Sequence, residues 1–299
     1  MRETKQTNLE EDYQYCEKII KHHSKSFYYA FSKLPKPKAQ AIYAVYTFCR
    51  LADDTVDTIE VKEEKINQLN HLEEELKRFE KGEPIEKPMW RALRDVFERY
   101  QMNIQPFFDQ LQGQRMDIDF VAPETLEDLE NYSAFVAGSV GLMLLPIIAS
   151  KTKKDLQHQA NSLGVAMQIT NILRDVGEDL RDINRIYIPQ ELLKKENYSI
   201  ESLRNNEINE NFIRIWETLA VRAENLYDQF SDSIHHFDAE SRLPVLVSAN
   251  VYRGILDAVR KKEYDCFSKR QFVTPVEMQK LTLQSKKILK EKNILVNEE

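Results

Sequence analysis

The sequence predicts an all-α protein, and three observations carry that expectation. Leucine, isoleucine and alanine recur at three- and four-residue steps along most of the chain, the period of an apolar stripe on a helix. No alternation of apolar and polar residues persists, so strands have no support. Glycine is scarce, 7 residues in 299, which disfavours turn-rich β folds and glycine-loop nucleotide folds. With 42% hydrophobic and 30% charged residues, the chain reads as an ordinary soluble one with a substantial core. No internal repeat or low-complexity linker divides it. One domain is expected over residues 1–299, with a polar N-terminal tail at 1–12 and ten or more helices around a central cavity.

Sparse punctuation places the helices. A first helix is expected over 10–24, broken at Ser24-Lys25-Ser26-Phe27. Pro35 and Pro37 open a long helix to Asp57, since proline in a first turn lacks only an N–H that had no partner. Residues 62–81 are amphipathic through Ile66, Leu69, Leu72, Leu76 and Phe79, and Gly82 and Pro84 end them. Helices follow at 88–102 and 105–118. Thr125 and Asp128 form a capping-box-like start to the next, with aspartate in place of the usual Glu or Gln. Residues 154–182 give the longest uninterrupted helical pattern. Pro189 opens a short helix, 195–209 reads as a polar loop with a short helical piece, and helices at 210–236, 241–262 and 275–292 complete the chain.

Several function classes lose support early. The net charge of −7 argues against nucleic acid as a main partner. Cys16, Cys49 and Cys266 are scattered and odd in number, with no zinc spacing and no disulfide framework, which fits a reducing cytoplasm. The first twelve residues lack an apolar signal core. The longest apolar run, Phe135 to Ala149, contains Gly138, Gly141 and Pro146 and falls short of the about 20 residues needed to span a bilayer. It reads as a buried helix, and a peripheral membrane contact is left open.

Two acidic stretches organise the chemistry: Asp53-Asp54-Thr55-Val56-Asp57 and Asp175-Val176-Gly177-Glu178-Asp179. In each, two aspartates stand four residues apart, so a helix places both carboxylates on one face. Bare carboxylates held close repel one another and are costly to desolvate. Mg²⁺ would remove both costs and complete its shell with water and phosphate oxygens. In the first stretch Tyr46, Arg50, Asp53 and Asp57 share a stripe on an otherwise apolar helix. In the second, Gln168, Asn171, Asp175 and Asp179 follow 3-4-4 spacing and offer hard oxygen ligands, with Arg174 at the edge. Solvated helix ends are the plain alternative, weakened by the apolar flanks of both motifs.

Lesser candidates are weaker alone. Ser24, Lys25 and Ser26 offer hydroxyls and an ammonium to a phosphate, though serines at a helix junction are usually caps. Phe27, Tyr28, Tyr29 and Phe31 are most simply core, and line the cavity if there is one. Gly138 and Gly141 allow close approach of a ligand or another helix. The histidines, including His22-His23 and His235-His236, show no ligand spacing.

These residues resemble the squalene/phytoene synthase family, the head-to-head prenyl diphosphate synthases. The resemblance is carried by His23-Ser24-Lys25-Ser26-Phe27, AIYAVYTFCRLADDTVD from Ala41 to Asp57, VAGSVGLM from Val136 to Met143, and QITNILRDVGEDLRDINRIYIP from Gln168 to Pro189. It extends from about Tyr15 to Lys269. It implies an all-α isoprenoid synthase fold in which two acidic helices face each other and bind Mg²⁺ and two prenyl diphosphates. By this resemblance Asp53, Asp57, Asn171 and Asp175 would hold Mg²⁺, with Asp179 close by. Ser24, Ser26, Tyr46, Arg50, Gln168, Arg174 and Tyr252 would contact the diphosphates. His23, Lys25, Phe27, Phe31 and Asn171 join the candidate substrate-binding set, and Arg50 and Tyr46 join the aspartates as candidate catalytic residues.

Phe31 lies one turn after Phe27. It resembles the bulky residue that closes the chain tunnel of the C30 enzymes, which make dehydrosqualene from two farnesyl diphosphates. Phytoene or squalene would be the other hydrocarbon products, and squalene would require NADPH. One departure stands out. The family usually reads Tyr-Cys-Tyr before VAG, and this chain reads Tyr132-Ser133-Ala134. Loss of the second tyrosine raises two further outcomes, arrest at the cyclopropyl intermediate or hydrolysis to farnesol. A helical scaffold binding basic partners is the non-enzymatic alternative and predicts exposed aspartates. No obligate protein partner is expected.

Overall fold

The computed structural model describes residues 2–294, with side chains from Leu9 onward. The elements are α1 (Arg2–His23), α2 (Lys25–Phe31), α3 (Lys36–Asp57), α4 (Lys62–Glu80), α5 (Pro88–Arg99), α6 (Gln105–Ile118), α7 (Leu126–Ser133), a π-helical turn (Ala134–Gly138), α8 (Ser139–Ile148), α9 (Gln157–Arg174), α10 (Val176–Asp182), α11 (Gln190–Lys195), α12 (Ile200–Arg204), α13 (Glu210–Asp232), a 3₁₀ turn (Ile234–His236), α14 (Ala239–Arg260) and α15 (Pro275–Glu291). There is no strand among the described residues, and the all-α expectation holds.

Most boundaries follow from local chemistry. Pro37 sits in the first turn of α3. Both bonds of the Thr125–Asp128 capping box form: Asp128 N donates to Thr125 Oγ1 at 3.1 Å and Thr125 N to Asp128 Oδ2 at 2.9 Å. Gly82 turns the chain after α4 with φ +81°, a conformation that favours glycine. Ser24 caps α2 through Phe27 N at 3.4 Å, so at least one serine of the pair does the ordinary work of a cap.

Three expectations need correction. Residues 2–12 are helical, not a tail, and Asp12 is buried and paired with Arg91 at 2.6 Å. The apolar run at 135–149 belongs to a longer helical stretch, Leu126–Ile148, which by length and composition alone could cross a membrane, and only 44% of its most apolar window is buried. Yet it is central, with the π turn and α8 packed against α6 and α9, and α8 against α3 as well. On α9 its neighbours come very close: a Cβ on Gly141 would stand 2.2 Å from Ala160 O, and one on Gly164 would stand 2.2 Å from Ala137 O. Close helix packing therefore accounts for Gly141.

The third correction concerns 154–182, where the helix breaks at Asp175 (φ −106°, ψ 14°). In a continuous helix Gly177 N–H would donate to Leu173 C=O. Here Gly177 N donates instead to Cys266 O at 3.0 Å, and the freed Leu173 carbonyl accepts from Trp216 Nε1 at 3.1 Å. Both of these groups stay satisfied across the kink. Gly177 is required because a Cβ there would lie 2.4 Å from the Phe267 backbone.

Candidate active site

The first acidic motif closes α3. Asp53 is half-buried and accepts from Gln114 Nε2 at 2.6 Å and Gln110 Nε2 at 3.4 Å. Burial and the charge of Asp57 push its carboxyl up to about 7, against the pull of Arg50. Asp57 is exposed at the helix end, and loss of water on its protein side still raises its carboxyl. Arg50 pairs with Asp54, one turn along, a carboxylate outside the expected Tyr46–Arg50–Asp53–Asp57 stripe.

The second motif straddles the kink. Asp175 is gripped by Arg174 through Nε at 2.7 Å and Nη2 at 2.5 Å, and by Arg270 at 3.1 Å. Arg174 is buried. Asp179 is pushed up to about 8 by burial, then by Asp175 and Glu178, with Arg185 and Arg174 opposing. Asn171 and Gln168 are half-buried one turn earlier, and Asn171 Nδ2 donates to Gln168 Oε1 at 3.4 Å.

A third wall had no place in the sequence reading. Gln110, Gln114 and Asp117 line one face of α6 at 4-3 spacing, the same kind of signal as Gln168 and Asn171. Asp117 accepts from Tyr187 and Tyr132 hydroxyls at 3.0 and 3.1 Å and pairs with Arg185 at 3.2 Å. Burial raises the carboxyls of Asp57, Asp117 and Asp179, and the Arg185 cation opposes that rise in all three, so its field reaches both acidic motifs.

An aromatic wall adjoins. Phe27 packs on Phe31, Tyr46 and Tyr252 with ring centroids 5.4, 6.3 and 5.3 Å apart. Phe31 is buried, while Phe27, Tyr46 and Tyr252 are half-buried. The Tyr252 hydroxyl is raised by burial, with Arg174, Arg270 and Ser24 pulling it down, which places Ser24 and the two guanidinia beside it. His23 and Lys25 are exposed at the rim, and Ser26 is half-buried.

No group of three or more His, Cys, Asp or Glu side chains among the described residues converges as a metal site. Asp175 is held by arginines and Asp53 by amides instead. Even so, the donor set fits a hard cation. Four buried side-chain polar atoms among the described residues lack a partner, and two lie here: Asn171 Oδ1, an acceptor, and Arg50 Nε, a donor. A cation would satisfy the first and an anionic oxygen the second.

The sequence model of squalene/phytoene synthases matches residues 20–277. The chain belongs to the squalene/phytoene synthase family. It is 36% identical to the 4,4'-diapophytoene synthase of Staphylococcus haemolyticus over 95% of this chain and 100% of that one. It is 38% identical to the 15-cis-phytoene synthase of Synechococcus elongatus over 89% of each. Among solved structures, a dehydrosqualene synthase with bound ligand superimposes with a TM-score of 0.90 at 42% identity, covering 95% of this chain and 99% of the other. The fold is that of the isoprenoid synthases, and members of this family are prenyltransferases that act on prenyl diphosphates.

Proposed function

We propose that this prenyltransferase joins two farnesyl diphosphates head to head to give dehydrosqualene, by way of a cyclopropyl diphosphate. The observation that carries the C30 product is Phe31, buried against Phe27, whose ring also packs on Tyr46 and Tyr252. A phenyl ring there ends an apolar chain pocket sooner than a smaller side chain would.

Asp53, Asp57, Asn171, Asp175 and Asp179 would hold Mg²⁺, which when bound neutralises diphosphate charge and so assists departure of the leaving group. Arg50 carries an unpartnered Nε for a diphosphate oxygen, a charge-assisted bond stronger than a neutral one. Arg174 and Arg270 supply further positive charge beside Tyr252. The allylic C–O bond breaks with its electron pair going to diphosphate, and the double bond of the second chain attacks the cation. Loss of a proton closes the cyclopropane. A second ionisation, rearrangement and proton loss give the linear hydrocarbon. The accessible apolar surface of the π turn and α8, with the aromatic wall, shields the cation from water.

Phytoene is the second reading, supported by the similar identity to phytoene synthases. Incubation with farnesyl and geranylgeranyl diphosphates in competition separates them. A C30 hydrocarbon in excess is expected, and a predominantly C40 product rejects the dehydrosqualene assignment.

A further inference from the structure

Asp53 is held differently from Asp54, Asp117 and Asp175. Asp54 is paired with Arg50, Asp175 with Arg174 and Arg270, and Asp117 with Arg185. Hydrogen bonds to Asp53 come from neutral amides alone among the described residues: Gln114 Nε2 at 2.6 Å and Gln110 Nε2 at 3.4 Å. Both glutamines are buried, at 4% and 1% exposure. They stand one turn apart on α6. Gln110 turns its amide nitrogen toward Asp53 and its amide oxygen toward Ser139 Oγ, 2.8 Å away. That hydroxyl also reaches Phe135 O at 2.5 Å, inside the π turn.

We propose that Gln114, backed by Gln110, is a positioning residue that orients Asp53 without neutralising it. An arginine in that place would compete with a cation for the carboxylate. An amide fixes the rotamer and leaves the negative charge available to a divalent ion. This rests on the assignment of Asp53 as a cation ligand.

Isothermal titration of the full chain with Mg²⁺, in saturating inorganic diphosphate, tests it. Outer-shell partners of metal ligands commonly change affinity by about 10–100-fold, and a loss in that range is expected for Gln114→Leu. Gln114→Lys should lose more, because its ammonium both neutralises Asp53 and repels the ion. A merely structural glutamine would lower the melting temperature of the metal-free protein and leave Mg²⁺ affinity unchanged, which overturns the proposal. Should Gln114→Leu fail to fold, Gln114→Asn, which keeps the amide but retracts it, replaces it under the same criterion. Asp53→Asn runs alongside. Unchanged affinity there refutes the cation-ligand assignment itself, whereas weakened affinity in Asp53→Asn with none in Gln114→Leu refutes only the positioning role.

Discussion

Asp53 and Asp179 are carboxylates that the metal-free fold holds against their own charge. Burial is the main cause in both, with a neighbouring aspartate adding to it, and their carboxyls reach about 7 and about 8. The folded state therefore binds these protons more tightly than the unfolded chain. Stability from this source is full below the ordinary carboxylate range and is lost as pH rises through 7 and 8. The melting temperature of chelator-treated protein should fall by at least about 5 °C between pH 6 and 9. Asp53→Asn/Asp179→Asn should flatten that fall, and an equal fall in the double variant contradicts the account. Phe31 carries the chain-length prediction. Phe31→Ala should shift acceptance toward geranylgeranyl diphosphate, read as the ratio of C40 to C30 product, and an unchanged ratio removes Phe31 from the selectivity argument. At this scale the acidic pairs were legible because a four-residue spacing on an apolar helix is a local signal. Gln114 and Arg185 were not singled out. Gln114 gains its meaning from Asp53, 61 residues away, and Arg185 from Asp117, 68 residues away.

Helix starts and stops were largely written in local residues, as Pro37, Gly82 and the Thr125–Asp128 box show. The break at Asp175 was not, because apolar periodicity runs straight through it. What decides it is remote: the Cys266–Phe267 backbone takes the Gly177 N–H, and Trp216 takes the Leu173 carbonyl. The kink matters because Asp175 is its hinge and Asp179 lies beyond it. Gly177→Ala places a methyl 2.4 Å from the Phe267 backbone. Overpacking of this kind costs about 1–3 kcal/mol, so urea unfolding should show a loss in that range. The same variant should need more Mg²⁺ for half-maximal activity, since Asp179 shifts relative to Asp175. Unchanged stability together with unchanged Mg²⁺ dependence would contradict the part given to the kink. The π turn at Ala134–Gly138 is the other element the apolar pattern hid. It begins at Ala134, where the family usually has tyrosine, and π-helical turns often mark functional sites.

Across the molecule, helices from distant parts of the chain build three polar walls and one aromatic wall: α3, the α9–α10 kink, α6, and α2 with Tyr46 of α3 and Tyr252 of α14. Two of the polar walls and the aromatic residues were visible in the sequence, and the third was not. The walls differ in chemistry, with arginines and carboxylates on the polar ones and accessible apolar surface along the π turn and α8. Asn171→Leu should leave the fold intact, as judged by circular dichroism, and raise the Mg²⁺ needed for half-maximal turnover at least about tenfold; an unchanged requirement would remove Asn171 from the cation set. Head-to-head condensation is tested by identifying the product that the purified full chain forms from farnesyl diphosphate and Mg²⁺. The account predicts dehydrosqualene, with a cyclopropyl diphosphate appearing before it, and no product when Mg²⁺ is chelated. Farnesol as the sole product would contradict it.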